Sequence, residues 1–421
     1  MAGEPKAKEM PRTMTVHETF KAVPVTDRIY WVGAVDRTVR DFHGYLTSRG
    51  TTYNAFLIVD DVVTLVDTVK KPFHDEMMAR IASVIDPGKI RYVISNHSEM
   101  DHTGCLPDVI RSVRPEKLFA STMGAKAIED HFHLGHPIEV VKDGLEVSLG
   151  KLSLVFAETR MCHWPDSMFS YVPQEQLLFS QDGFGMHLAG DHRFDDECDL
   201  AVMDVEAAKY YANILLPLSS FILKTLEKVG QLGWKLRIVA PDHGPIWRKH
   251  VDRIVGDYAR WARQAPTDKA VVVFDTMWGS TREMARAVAE GLQAGGAQPR
   301  LMPLAESHRS DVATELLEAG ALLVGSPTIN NMLFPTLADT LSYLQGLKRK
   351  NLAGAAFGSH GWSGEGAKQV HEILTRMGVD LVQDKPLQCK YVPDENVLGQ
   401  CRELGQAVAE KVKAKIAEAG A

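Results

Sequence analysis

Between Asn96 and Gly104 the chain reads Asn-His-Ser-Glu-Met-Asp-His-Thr-Gly, which places four metal-capable side chains, His97, Glu99, Asp101 and His102, within six positions. Any one of them alone reads as a turn or capping residue. Together they point to a metal centre, because bunched carboxylates repel unless a cation compensates them. The run directly follows an apolar strand, Arg91 to Ser95, so a strand before it and a helix after it fix the loop. Alternation along an extended segment turns His97, Glu99 and Asp101 to one side, and a chain turn brings His102 round to meet them. Three further residues follow strands in the same way: His163 in Met161 to Asp166, Asp182 in Phe179 to Gly183, and His243 in Ala240 to Gly244. Ends of neighbouring strands converge on one sheet edge, so all seven groups can reach a single site.

A second set of loops has the chemistry of a phosphate cradle. The apolar strand Ala270 to Phe274 runs into Asp275, Thr276, Met277, Trp278, Gly279, Ser280 and Thr281, and then into a helix. Hydroxyls of Thr276, Ser280 and Thr281, with backbone N–H groups at the helix start, form an anion site without Lys or Arg. The segment is similar to the phosphate loop of flavodoxins, although Met277 and Trp278 are bulkier than the small residues common there. Two more loops leave the apolar strands that begin at Ala321 and Ala355. One carries Pro327, Thr328, Ile329 and Asn330; the other carries Ser359, His360, Gly361, Trp362, Ser363 and Gly364. Carboxyl ends of parallel strands are where doubly wound folds bind ligands. Trp362 could cover a ring system while Gly and Asn leave backbone amides free for its polar edge, and the three loops in order read as an FMN site.

The elements that must position these groups fall into two kinds. Up to residue 260 the chain shows short β-rich runs: Arg28 to Val35, Tyr53 to Val59, Val62 to Val69, Arg91 to Ser95, Lys151 to Ala157, Met168 to Val172 and Gln176 to Ser180. Hairpin turns are expected at Asp60-Asp61 and Pro173-Gln174-Glu175, and helices over Phe73 to Ile85 and the long Val205 to Val229. Mixed hairpins and helices imply stacked sheets flanked by helices. After the polar stretch Gln264 to Asp268, near-continuous apolar strands alternate with helices Arg282 to Gly295, Pro335 to Leu347, Gly366 to Met377 and Val397 to Ala417. That is a doubly wound α/β pattern, so the expected division is 1–265 and 266–421.

Composition agrees. A chain of 421 residues with 45% hydrophobic and 24% charged residues is globular and long enough for more than one domain. The net charge of -7, with no basic run, excludes nucleic acid as an expected partner. The opening Met1 to Phe20 lacks an apolar targeting core, and no stretch approaches the roughly 18 apolar residues that span a bilayer. A soluble, cytoplasmic protein without a membrane partner is expected. Cys105, Cys162, Cys198, Cys389 and Cys401 are never spaced C-x-x-C, so they form neither a disulfide framework nor a rubredoxin-type cluster.

The H-x-E-x-D-H loop at 97–102, the His-Trp-Pro-Asp-Ser segment from His163, the strand-terminal Asp182 and the Pro-Asp-His-Gly loop at 241–244 together resemble the flavodiiron proteins, a branch of the metallo-β-lactamase fold. The resemblance runs from about Val23 to the C-terminus. It implies an N-terminal αββα metallo-β-lactamase-like sandwich plus a C-terminal flavodoxin-like doubly wound parallel sheet. It also implies two non-haem iron ions: His97, Glu99 and His163 on one, Asp101, His102 and His243 on the other, and Asp182 bridging. Some members leave the residue matching His102 unbound, with water in its place, so the resemblance leaves that ligand open. Hydrolytic members of the fold usually have His where this chain has Glu99; a carboxylate there adds a hard, negative donor that favours iron over zinc. His43 and Tyr45 resemble groups that sit beside the ligands and supply protons or hold bound oxygen.

The implied activity is reduction of dioxygen to water, of nitric oxide to nitrous oxide, or both, with electrons passed through FMN. A separate donor is expected, rubredoxin or a reduced deazaflavin by resemblance, and so is a head-to-tail homodimer, or a dimer of dimers, in which each FMN faces the partner's irons. The residues also admit a zinc-dependent hydrolase with an appended flavodoxin domain, or an electron carrier whose metal site is structural. The preferred gas is not legible, since both gases would use the same ligands.

Overall fold

Inward-facing side chains of two sheets meet to form the first core: Trp31, Phe56, Ile94 and Phe119 from one, Phe156, Met168, Phe179 and Ile238 from the other. The computed structural model describes residues 20–420. Nearly all of the polar opening Met1 to Phe20 therefore lies outside the described residues. The larger sheet has seven strands in the order Val23–Pro24, Ile29–Trp31, Phe56–Ile58, Thr64–Val66, Tyr92–Ser95, Lys117–Ala120 and Ile138–Val140. The smaller has five, Glu146–Ser148, Ser153–Glu158, Met168–Val172, Leu177–Phe179 and Ile238–Ala240. Helices His74–Ala82, Leu106–Val113 and Thr122–Phe132 cover the outer face of the first sheet. Helices Leu200–Tyr210, Ser219–Gln231 and Val251–Arg263 cover that of the second, which completes the expected αββα layering.

Two local expectations change. The run Arg28 to Val35 is not one strand: Ile29–Trp31 pairs with Phe56–Ile58, whereas Ala34–Asp36 pairs with Thr51–Tyr53. The break falls at Gly33, where a Cβ would overlap the backbone of Tyr53, so only glycine lets the chain cross to its new partner. The helix expected over Val205 to Val229 is likewise interrupted, by a π-turn at Tyr211–Leu215 and a 3₁₀ turn at Leu216–Leu218. Pro217 lacks an N–H and cannot continue the α-helical ladder, so the helix restarts at Ser219.

Beyond residue 268 the strands Gln298–Pro303, Lys269–Phe274, Ala321–Gly325 and Ala353–His360 lie in that spatial order, all parallel, with Asp380–Leu381 and Leu387–Lys390 paired along the last. In chain order this is 2-1-3-4-5, the doubly wound arrangement whose connections leave a ligand crevice beside the first strand. Side chains alternate across it. Ala270, Val272 and Phe274 pack under helices Ser280–Ala294 and Glu395–Gly420, and Val271 and Val273 pack toward Arg309–Leu316 and Pro335–Leu347. The second cluster continues into Tyr210, Tyr211, Tyr258 and Trp261, so one apolar seam joins the two units. Buried Arg349 staples the connector, donating to the carbonyls of Gln264 at 2.8 Å, Leu316 at 3.0 Å and Ala319 at 2.8 Å. Among the described residues no helix is long and apolar enough to cross a membrane.

Candidate functional site

The strand Tyr92–Ser95 ends at one rim of the sandwich, and Asp67 fixes the turn that follows by accepting from the backbone N and Nδ2 of Asn96, both at 2.7 Å. His97 and Glu99 then extend into the rim. The expected alternation stops there. Met100–Thr103 is a helical turn, so Asp101 and His102 reach the site from a helix rather than from an extended chain. His163 lies beyond the strand Ser153–Glu158, Asp182 three residues past Phe179, and His243 three past Ala240. Both sheets thus feed the same rim.

The seven side chains come together as two groups. Ligand-capable atoms of His97, Glu99, His163 and Asp182 all lie within 4.8 Å of one another, as do those of Asp101, His102 and His243. Asp182 faces both. Its Oδ2 is 2.8 Å from His163 Nε2 and 3.5 Å from His97 Nε2. Its Oδ1 is 3.2 Å from His102 Nε2 and 3.4 Å from His243 Nε2. On the far side of the second group Asp101 Oδ2 lies 3.2 Å from His243 Nε2. His97, Asp101, His102, Asp182 and His243 are almost fully buried.

The donor set fits metal ions. Both carboxylate oxygens of Asp101, both ring nitrogens of His102 and Asp182 Oδ1 are buried without a directed hydrogen bond, a costly condition that a bound cation removes. The imidazoles are aimed: His97 keeps Nδ1 on Asp166 Oδ2 at 3.1 Å and His243 keeps Nδ1 on the Thr52 carbonyl at 2.6 Å, leaving both Nε2 atoms to the site. Such outward hydrogen bonds orient metal-binding histidines. Asp166 also accepts from Ser98 N and Oγ, each at 2.6 Å, which locks the loop and the imidazole together. Burial acts to raise the Glu99 carboxyl, but hydrogen bonds from His163, His43 and His97 hold it far below the usual carboxylate range. Burial acts to lower His102, and Asp101 and Asp182 lift it to about 9. Protons held this way by opposed charges are the ones a metal ion displaces.

His43 stands on the turn between Asp41–Phe42 and Tyr45–Leu46, with Nε2 2.8 Å from Glu99 Oε1. Tyr45 sits one ring further out: fully buried, it packs on His187 with ring centroids 5.3 Å apart, and His187 packs on His243 at 4.7 Å. His187, whose Nδ1 lies 2.9 Å from Thr51 Oγ1, was not foreseen, because nothing in Gly185-Met186-His187 has ligand spacing. Burial, with His243 beside it, lowers its basicity well below the usual imidazole range. Asp166 had a signal, its place two residues after Trp164 in the His163 segment.

The second unit opens at the carboxyl edge of its sheet into a cavity of about 650 Å³. Thr276, Met277, Trp278 and Ser280 line it from the first loop, Pro327, Thr328, Ile329 and Asn330 from the second, and Ser359, His360, Gly361, Trp362 and Ser363 from the third. Gly279, Thr281 and Gly364 support rather than line it. Gly279 holds φ +95° and donates its N–H to Thr276 Oγ1 at 3.0 Å, and buried Thr281 meets Ser359 Oγ at 3.1 Å. A side chain on Gly364 would strike Gln388. Tyr391 and Asn331 complete the lining; Tyr391 follows the strand Leu387–Lys390, the same strand-end rule applied once more. The hydroxyl-rich first loop at a helix start suits a phosphate, and the indoles of Trp278 and Trp362, 94% and 88% exposed, offer bare aromatic faces to a ring system.

Comparison with known proteins agrees with both halves. Residues 51–244 match the family described as ODP family beta lactamase, and residues 272–411 match the flavodoxin family. A nitric oxide reductase of Moorella thermoacetica is 45% identical, covering 93% of this chain and 98% of its own length. The solved rubredoxin oxygen:oxidoreductase from Desulfovibrio gigas has a TM-score of 0.92 at 44% identity, covering 94% of this chain and 100% of that one. The flavodiiron protein from Giardia intestinalis has a TM-score of 0.91 at 32% identity, covering 95% and 98%. These relatives carry the names of oxidoreductases, so the alternative of a zinc hydrolase is not favoured. The chain belongs to the flavodiiron protein family, as an oxidoreductase that joins a non-haem diiron site in a metallo-β-lactamase-like unit to an FMN-binding flavodoxin-like unit.

Proposed function

We propose that this chain reduces dioxygen to water, nitric oxide to nitrous oxide, or both, with His97, Glu99 and His163 holding one iron, Asp101, His102 and His243 the other, and Asp182 spanning the two. The observation that carries the reading is the division of the Asp182 carboxylate, one oxygen toward each group. FMN and two irons together supply four electrons in steps of one or two, the number dioxygen needs to become two waters. The rest is placement and charge. Glu99, Asp101 and Asp182 offset the charge of two cations, and burial keeps bulk water from the pocket. His43, with its side chain 61% exposed and Nε2 on Glu99, can carry a proton between solvent and the pocket. Tyr45 shapes the same wall through His187. The loop from Thr276 to Thr281 takes the FMN phosphate, the loops at 327–330 and 359–364 take its polar edge, and Trp278 and Trp362 cover its ring.

The division at residue 265 leaves the metals in 1–265 and FMN in 266–421. Two chains pair head to tail, as a dimer or a dimer of dimers, so that each flavin faces the partner's metals. Bare apolar groups around the FMN cavity, Trp278, Trp362, Met332 and Tyr391, and Met100 on the metal loop support that pairing. Electrons arrive from a separate rubredoxin or a reduced deazaflavin, since the five cysteines are free and none is spaced to hold an iron-sulfur centre. Free cysteines also suit a reducing cytoplasm.

Anaerobic turnover of dithionite-reduced protein tests the reading, with consumption of dioxygen and of nitric oxide compared and metals counted. About two irons per chain and consumption of at least one gas are expected. Zinc in place of iron, with ester or lactam cleavage and no gas consumed, would overturn it. Parallel reactions with reduced rubredoxin and reduced deazaflavin identify the donor.

A further inference from the structure

The hairpin that carries His43 cannot hold itself in place. Its strands, Asp41–Phe42 and Tyr45–Leu46, are two residues each, and a ribbon that short is not stable alone in water. At its tip His43 and Gly44 both take positive φ, +56° and +78°, and the Gly44 N–H is tied to Asp41 Oδ1 at 3.1 Å. Phe42 and Tyr45 pack inward on His187, with ring centroids 4.9 Å and 5.3 Å away. That packing anchors the base of the hairpin. The tip reaches toward the other unit.

There the first turn of helix Arg309–Leu316 meets it. Arg309 Nε donates to the Gly44 carbonyl at 3.2 Å, and Ser310 Oγ accepts from the Leu46 N–H at 3.3 Å. Both holders are themselves held. Arg309 Nη1 donates to Asp339 Oδ1 at 2.5 Å, and its guanidinium lies 5.4 Å from the centre of the Tyr343 ring. Ser310 Oγ lies 2.7 Å from His308 Nδ1, and the Ser310 carbonyl accepts from Asn213 Nδ2 at 3.1 Å. Next along the helix, Asp311 Oδ1 pairs with Lys209 Nζ at 2.7 Å, and Lys209 Nζ stands 5.7 Å from the centre of the Tyr45 ring. Gly44 is required at this contact twice over, by its φ and because a Cβ would meet the Arg309 guanidinium at 2.7 Å.

We infer that Arg309, with Ser310, is a positioning residue for the metal site: the flavodoxin-like unit clamps the hairpin so that His43 Nε2 stays on Glu99 Oε1. The inference rests on the proposed role of His43, and it means that the unit which delivers electrons also sets the geometry beside a metal ligand. Arg309 acts only through the hairpin. A residue that merely knits the two units together would leave the Glu99 side of the metal site unchanged when removed.

The test uses full-length protein loaded with iron and FMN, as wild type, Arg309→Ala, Arg309→Lys, His43→Gln and the Arg309→Ala/His43→Gln double variant. Deuterium uptake at Gly44 and Leu46 is expected to speed up about tenfold in Arg309→Ala, with no change in the strand Tyr92–Ser95. The ferric absorption and EPR signals of Arg309→Ala shift in the direction seen for His43→Gln. The double variant shows no further shift, and Arg309→Lys restores part of the native signal. Asp339→Asn, which frees Arg309 without removing it, gives the same changes at smaller size and serves if Arg309→Ala does not fold. Unchanged hairpin exchange in Arg309→Ala and Asp339→Asn overturns the inference, as do spectral changes that simply add to those of His43→Gln. If His43→Gln leaves the spectra untouched while hairpin exchange still accelerates, the clamp stands and the role given to His43 falls.

Discussion

Asp182 turns one carboxylate oxygen onto His163 Nε2 at 2.8 Å and the other away from it. The second oxygen lies 3.2 Å from His102 Nε2 and 3.4 Å from His243 Nε2, so a single side chain addresses both halves of the site. Its backbone is fixed by the Gln181 side chain, whose Oε1 accepts from the Asp182 N–H at 2.7 Å.

Asp182→Asn keeps the volume and removes the charge and one of the two oxygen donors. Iron content is expected to fall by half or more, and gas consumption by at least about 100-fold, beyond what loss of a supporting hydrogen bond costs. Metal analysis with an oxygen or nitric oxide electrode reads both. Full iron and full turnover in this variant would rule out a bridging role.

Asp166 touches no other ligand of the first group than His97, yet its Oδ2 fixes both that imidazole and Ser98. Asp166→Ala is expected to weaken metal binding by about 10–100-fold, measured by competition with a chelator, while circular dichroism stays that of the wild type. Native affinity would show that the His97 ring is oriented by packing alone.

How far this site was legible depends on how local each signal is. His97, Glu99, Asp101 and His102 crowd one loop, and His163, Asp182 and His243 each follow a strand, so type and spacing sufficed to nominate them. The direction of Asp101 did not follow, because the switch from extended chain to helix at Met100 depends on the packing of the whole rim. Tyr45 was nominated beside the ligands and lies behind His187, itself invisible because an isolated histidine after a glycine has no pattern. Among the elements, the apolar strands after Ala270 were plain, whereas helix Arg309–Leu316 was passed over, since its alternating charged and small residues lack an apolar stripe. The interruption at Pro217 was readable from proline chemistry, but the helical periodicity on both sides concealed it.

Trp362 and Trp278 present almost fully exposed indoles at the mouth of the FMN cavity. Trp362→Ala is expected to raise the FMN dissociation constant about tenfold, or about 1.4 kcal/mol, by removing aromatic cover. Quenching of flavin fluorescence on titration measures it. An unchanged constant would leave Trp362 as surface alone.

Helices Ser280–Ala294 and Glu395–Gly420 approach so closely that a Cβ on Gly291 would overlap the backbone of Arg402, and one on Gly405 the backbone of Val288. Gly291→Ala therefore forces the helices apart and is expected to cost about 1–3 kcal/mol, lowering the melting temperature of the flavodoxin-like unit by several degrees. Thermal unfolding followed by flavin release checks it. Gas chemistry at the metals, with dithionite as the reductant, should be unaffected at low temperature.

Anomalous diffraction at the iron edge, from crystals of protein produced with iron, is the most direct measurement of the central claim. Two peaks are expected, one beside His97, Glu99 and His163 and one beside Asp101, His102 and His243, with Asp182 between them. A single peak, peaks away from Asp182, or zinc alone in both positions would contradict the account.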